Sequence, residues 1–290
     1  MSNPVLPSKL QCFWAELFGT FVLVFFGCGV VHSSVCYGAP DGLWQVAIVW
    51  GIAIMLAIYS IGGISGAHIN PAITIALSVV GDFPKNRVAT YILAQLCGAF
   101  LAAASLFFLF SPALKQVETD FGVQRGQQGS EITASCYGEF FPSPGSLKSE
   151  TYSVTEHKQL KKLVPHHVAF FAEVLGTAIL SCMVFAFSDS SNRERPDQRQ
   201  AAIFIGLTVS ALISVIAPLT QACFNPARDF GPRLFASLAG WGKIALPIGT
   251  DWGWLTVYIV APILGACIGG LAYQKFVQPM HGSSDGSEDS

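Results

Sequence analysis

Ser65-Gly66-Ala67-His68-Ile69-Asn70-Pro71-Ala72 and Asn225-Pro226-Ala227-Arg228-Asp229-Phe230-Gly231-Pro232-Arg233 are the two stretches that decide how this chain folds. Both contain Asn-Pro-Ala. Asn is a strong helix N-cap, because its side-chain oxygen accepts from N–H groups of the first turn, and Pro suits the first helical position, whose N–H has no partner within the helix. Each tripeptide therefore predicts a helix start, with helices over 72–81 and 227–240. Both are too short to cross about 30 Å of hydrocarbon at about 1.5 Å per residue. Each nevertheless follows one apolar segment that is long enough and precedes another.

Working outward, six such segments cover 12–31, 44–62, 88–110, 168–187, 200–218 and 254–273. Four hold no charge; the first and fourth hold one each, Glu16 and Glu173. Only 12% of the 290 residues are charged, against about a quarter in a soluble domain, so the chain reads as a polytopic membrane protein. A net charge of −2 argues against nucleic acid as a partner. The eight cysteines fall mostly inside apolar runs, with no C-x-x-C pair, and the six histidines show no metal-ligand spacing. No disulfide framework, metal site or cofactor follows from them. Lys9 and the run after it imitate a signal peptide, but the run carries Glu16 and no cleavage motif follows.

The chain repeats itself. Ala15-Glu16-Leu17-Phe18-Gly19-Thr20 returns as Ala172-Glu173-Val174-Leu175-Gly176-Thr177, Asn70-Pro71-Ala72 as Asn225-Pro226-Ala227, and Tyr91-Ile92-Leu93-Ala94 as Tyr258-Ile259-Val260-Ala261. Each half thus holds three spans and one half-helix: 1–110 first, then a long extracellular loop over 111–167, then 168–276, with a disordered tail over 277–290. Three spans are an odd number, so the second half enters the membrane from the opposite side. Such an inverted repeat places a site near the midplane, where the interrupted segments meet. Small residues at Gly62-Gly63, Gly98 with Ala102, and Gly265 with Gly269 suit close helix crossings. The region 149–162 reads as a solvated insertion. Lysine and arginine divide equally between the two sides; Arg193, Arg195 and Arg199 in one short connection favour cytoplasmic termini, in a plasma or inner membrane.

Backbone polar groups inside hydrocarbon must be satisfied or line a wet cavity. The glycine-rich run 62–68 is therefore expected as a loop dipping into the protein. Two helix N-termini facing one another there focus positive potential, which repels cations and protons and tolerates neutral solutes. The Asn70 and Asn225 amides have protons to offer a passing hydroxyl. Arg228, inside a membrane segment, marks a pathway by default.

The two quoted stretches resemble the paired signatures of the aquaporin superfamily, the major intrinsic proteins, and the likeness extends over all spans and both pore loops. It implies an all-α integral membrane fold, six transmembrane helices plus two re-entrant half-helices, assembled as a homotetramer in the lipid bilayer. Asp229, Arg233 and Pro262 resemble the glycerol-conducting branch. Counting from the Asn-Pro-Ala motifs carries the family's selectivity filter onto Trp50, Ile213, Ala222 and Arg228. Bacterial glycerol facilitators have Gly where Ile213 stands and Phe where Ala222 stands. The resemblance thus implies a channel for glycerol and other small neutral solutes plus water. Urea or metalloid hydroxides such as arsenite and boric acid are the alternative, and a water-selective channel is a weaker one. Similar filters occur in family members that pass urea or metalloids.

Glu16 and Glu173, at equivalent places in the repeat, are expected to accept backbone N–H groups from the two pore loops, with Gln95 helping the first; Pro262 breaks the symmetry in the second. Asp229 and Arg233, four apart, brace the second loop. Carbonyls of Gly66, Ala67 and His68, and of Gln221, Ala222 and Cys223, would form an acceptor track, with the His68 imidazole turned away. Cys223 is a candidate for mercurial block. An integral-membrane enzyme built on Glu16, Glu173 and His68 lacks any nucleophile–base spacing. A closed-pore adhesive protein is the third class.

Overall fold

A computed structural model of the chain describes residues 7–143 and 162–281, and among these every regular element is helical. The insertion expected over 149–162 lies, apart from Lys162, outside the described residues, as do 144–148 and the tail beyond 281. Among the described residues the principal helices are α1 (Lys9–Tyr37), α2 (Leu43–Ser65), α3 (Pro71–Val79), α4 (Val88–Asp120), α5 (Glu131–Ala134), α6 (His166–Ser188), α7 (Gln198–Thr220), α8 (Pro226–Ala236) and α9 (Gly253–His281). Six are long and apolar enough to cross a membrane: α1, α2, α4, α6, α7 and α9.

Several boundaries differ from expectation. The first span gains turns at both ends, through a Ser8–Gln11 capping box and a left-handed Gly38 at its C-terminus. The third span does not stop at residue 110. It continues through Pro112 to Asp120, because Leu114, Val117 and Glu118 carry a buried stripe at helical spacing where hydropathy has already fallen. Residues 111–120 are thus helix rather than loop. Residues 277–281 are likewise helical, not tail. The second half-helix ends at Ala236, where a wider turn over Ser237–Trp241 is broken by Gly240 at φ 112°. Gly62–Ser65 belong to α2, so the irregular loop starts only at Gly66, itself left-handed.

The halves pack alike. α1 lies along α4 and α6 along α9, while α2 and α7 meet each other across the halves. Each short helix also crosses over, α3 packing on α9 and α8 on α4. The α1–α4 and α6–α9 crossings are close because equivalent glycines sit in them. A Cβ on Gly98 would lie 2.2 Å from the Leu17 carbonyl oxygen, and one on Gly265 would lie 2.3 Å from that of Val174. Gly269 repeats this one turn on, against Ala178. Gly62 and Gly63 mark no crossing, since a Cβ on Gly63 meets nothing within 4 Å.

Candidate functional site

The centre is made by the two irregular loops before α3 and α8. Both bend in the same way. Gly66, Ala67 and Ile69 have positive φ in the first loop, and Gln221, Ala222 and Phe224 have it at the equivalent positions of the second. Five of these six residues are not glycine, and a left-handed backbone at such residues is strained and held by its surroundings.

Two carboxylates supply much of that hold. Glu16 accepts from the His68 N–H at 2.9 Å and the Ser65 hydroxyl at 2.6 Å on one oxygen, and from the Ile69 N–H at 2.7 Å and the Gln95 amide at 2.8 Å on the other. Glu173 accepts from the Cys223 N–H at 3.0 Å and the Thr220 hydroxyl at 2.6 Å on one oxygen, and from the Phe224 N–H at 2.9 Å on the other. Pro262 stands in the place of Gln95, so the second brace has one donor fewer. The repeat landmarks Tyr91 and Tyr258 have a further part that sequence reasoning missed: their hydroxyls donate to the carbonyls of Ser65 and Thr220, at 2.8 and 3.2 Å, where each loop begins.

The loops then fasten to each other. The Asn70 side-chain oxygen accepts from the Ala72 N–H at 2.8 Å, and that of Asn225 from the Ala227 N–H at 3.0 Å and the Arg228 N–H at 3.3 Å. The Asn70 amide donates to the Phe224 carbonyl and the Asn225 amide to the Ile69 carbonyl, both at 2.8 Å. An amide has two N–H bonds, so one in each asparagine serves the cross-link and one is left over. Pro71 and Pro226 take the first helical positions. Two helix N-termini, each equivalent to about half a positive charge, thus meet at the two asparagines.

A cavity of about 480 Å³ is walled by Val31, Val46, Trp50 and Ile213 on its apolar side and by Ser135, Glu139, Gln221 and Arg228 on its polar side. The Arg228 guanidinium carbon sits 4.4 Å from the centre of the Trp50 ring, a cation–π contact. Trp50 lies flat over Gly27, where a Cβ would approach it to 2.2 Å. Ala222 is buried in the same apolar core but is not among the cavity's walls. A second cavity, of about 180 Å³, is lined by Gly66, Ala67, His68, Asn70 and Asn225 together with apolar residues of α1, α2, α6 and α7. The His68 ring bonds Thr74 at 3.2 Å and packs on Phe83 and Tyr91. The Cys223 side chain does not reach either cavity. It is buried among Val164, Ala169 and Tyr258, which removes the expected target for mercurials.

Glu139 is a further residue that sequence reasoning missed. It forms an ion pair with Arg228, whose other terminal nitrogen donates to the Tyr137 carbonyl at 3.3 Å. Burial pushes the Glu139 carboxyl up, against the pull of the Arg228 guanidinium. Its backbone is held as well: the Glu139 N–H donates to Asp229 at 2.7 Å, and its carbonyl accepts from Arg233. Asp229 and Arg233 are paired through two contacts, at 2.7 and 2.9 Å, and Arg233 also donates to the Ala245 carbonyl at 2.7 Å. The Gln221 side chain accepts from the Phe140 N–H at 2.8 Å. The segment Tyr137–Phe140 is therefore clamped between α8 and the second loop. A lone Glu in Tyr137-Gly138-Glu139-Phe140-Phe141, 89 residues before Arg228, gives no spacing signal.

The sequence profile of the major intrinsic proteins matches residues 5–273. The chain is 40% identical to the glycerol uptake facilitator protein of Pseudomonas aeruginosa over 92% of this chain and 88% of that protein. It is 38% identical to the propanediol uptake facilitator PduF of Salmonella typhimurium over 93% of this chain and 94% of that one. The crystal structure of the aquaglyceroporin from Plasmodium falciparum has the same fold, with a TM-score of 0.77 at 23% identity, covering 94% of this chain and 99% of that one. With six membrane-crossing helices and this match over most of its length, the chain is a multi-pass integral membrane protein and belongs to the major intrinsic protein family.

Proposed function

We propose that the protein is a passive channel for glycerol and similarly small neutral solutes, with water, and that it excludes ions and protons. The observation that carries this is the reciprocal Asn70–Phe224 and Asn225–Ile69 cross-link. It fixes two positive helix ends face to face and leaves each asparagine one N–H for a solute oxygen. A neutral hydroxyl gains a hydrogen bond there, whereas a cation meets like charge. The relatives named for glycerol and propanediol uptake support the solute class. Covalent chemistry has no part in this scheme: Glu16 and Glu173 are committed to loop N–H groups.

In this scheme Trp50, Ile213, Ala222 and Arg228 form the selective constriction. Trp50 and Ile213 touch the carbon face of a solute while Arg228 takes its hydroxyl oxygens. Carbonyls of the two loops, from Gly66 to His68 and from Gln221 to Cys223, hand the solute on. The assembly is a homotetramer with cytoplasmic termini. A wider solute list is the second reading: Ala222 stands where the resemblance puts an aromatic side chain in the glycerol facilitators, and a constriction with so small a side chain would also take urea or a trihydroxy metalloid. Permeabilities of proteoliposomes to glycerol, urea and boric acid test this. Glycerol at the rate of empty liposomes, with urea or boric acid fast, transfers the assignment to the second solute class.

A further inference from the structure

We infer that the face of the protein carrying Lys243 and Asp251 holds a second small-molecule site, outside the proposed conducting path, which takes a neutral polyol and acts on Arg228 through Glu139. The coupling to Arg228 rests on the channel reading above; the site itself does not. A separate cavity of about 370 Å³ lies between the Phe140–Pro142 segment and the start of α9, within the range of small-ligand pockets. Among the described residues, Glu139 alone lines both this cavity and the larger one beside Trp50. Its carboxylate pairs with Arg228 in one direction, and its backbone is tied to Asp229 and Arg233 in the other.

The chemistry of the cavity defines its occupant. Arg233 and Tyr258 line its buried part with polar groups already in use, since the Arg233 nitrogens serve Asp229, Glu139 and Ala245, and the Tyr258 hydroxyl serves Thr220. The Trp254 indole N–H is different: it is buried and has no hydrogen-bond partner among the described residues. Trp254 also lines the cavity, and a buried donor without a partner costs about 1–3 kcal/mol, so a small turn of the ring toward an acceptor held there is favoured. At the exposed rim stand Lys243, Thr250 and Asp251. Lys243 asks for an acceptor. Asp251 and Glu131 each already take one backbone N–H, from Gly253 at 2.8 Å and Gly129 at 2.6 Å, and have lone pairs left for donors. With Glu139 and Arg233 already paired, Glu131 and Asp251 repel an anion and Lys243 repels a cation, and a neutral occupant avoids both costs. Hydroxyl groups satisfy every one of these groups, and the C–H faces of a polyol suit the walls of Phe140, Phe141 and Trp254. An occupant props the segment that carries Glu139 and so holds Arg228 in its paired position.

The test uses the full chain in lipid nanodiscs, with its six tryptophan indoles labelled with ¹⁵N and the Trp254 signal assigned by Trp254→Phe. Glycerol is titrated, and separately mannitol. The expected result is a saturable shift of the Trp254 signal. It should persist in Ala222→Trp, which obstructs the proposed path, and lose saturation in Lys243→Ala/Thr250→Ala, with the other indole signals reporting that each variant is folded. A Trp254 signal that stays fixed, or one that stops moving once the path is obstructed, overturns the inference. Swelling of the same protein in liposomes reports the channel reading independently, so failure of one is distinguishable from failure of the other.

Discussion

Replacing Glu173 by Gln tests how the second loop is held. Glu173 receives the Cys223 N–H on one oxygen and the Phe224 N–H on the other. A carboxamide is isosteric but has a single acceptor oxygen. Whichever way it is turned, one loop N–H faces an NH₂ group. Leaving that buried donor unsatisfied costs about 1–3 kcal/mol, and turning the surviving bond from charge-assisted to neutral costs about 1 kcal/mol more. The total is about 2–4 kcal/mol. Glu16→Gln should cost less, although it has the same two-oxygen geometry. Beside it the Gln95 side-chain oxygen is buried without a hydrogen-bond partner, and by turning over it accepts from the new NH₂ group. Pro262 offers nothing equivalent to Glu173. The damage should reach the centre, because the Phe224 carbonyl is what the Asn70 amide binds. Apparent melting temperature in detergent and glycerol permeability per channel are the assays. Expected is a fall in both, larger for Glu173→Gln than for Glu16→Gln. Equal effects, or a larger effect at Glu16, would refute the reasoning that the asymmetry of the two braces sets their strength.

Three other outcomes follow from the same geometry. Ala222→Phe should slow urea and longer polyols more than water, read by stopped-flow light scattering; equal slowing of all solutes would remove Ala222 from the selective constriction. Arg228→Ala leaves Glu139 buried and unpaired, a loss of about 3–5 kcal/mol, and Arg228→Ala/Glu139→Ala should recover part of that in apparent melting temperature. Gly98→Ala forces a methyl group toward the Leu17 carbonyl at 2.2 Å and should cost about 1–3 kcal/mol, whereas Gly63→Ala, with open space around it, should leave the melting temperature unchanged or raise it.

The fold was legible because its signals are local or repeated. Asn before Pro starts a helix wherever it stands, and apolar length reports a span. Equivalent residues in the two halves announce a symmetry that the α1–α4 and α6–α9 pairings express. The limits of helices were less legible. Hydropathy falls at residue 110, but α4 goes on for ten residues because helix formation needs only a buried stripe such as Leu114, Val117 and Glu118. At the site, the family resemblance, counted from the motifs, carried a selective constriction onto Trp50, Ile213 and Arg228, and these three line one cavity. Glu139 was not reachable, since what makes it matter is a fold-back of the long connection onto α8. Nor were the paired left-handed residues at 67 and 222 and at 69 and 224, because alanine, isoleucine and phenylalanine carry no preference for that conformation. Only the braces and caps around them impose it.

In the proposed scheme two fixed helix ends pass neutral hydroxyl compounds and stop charge. The most direct measurement records glycerol-driven swelling and proton entry in the same proteoliposomes, the second with an entrapped pH-sensitive dye. Glycerol swelling should be far faster than in empty liposomes, with proton entry at the empty-liposome rate. Glycerol swelling no faster than in empty liposomes, or proton entry that rises with the amount of protein, would contradict it.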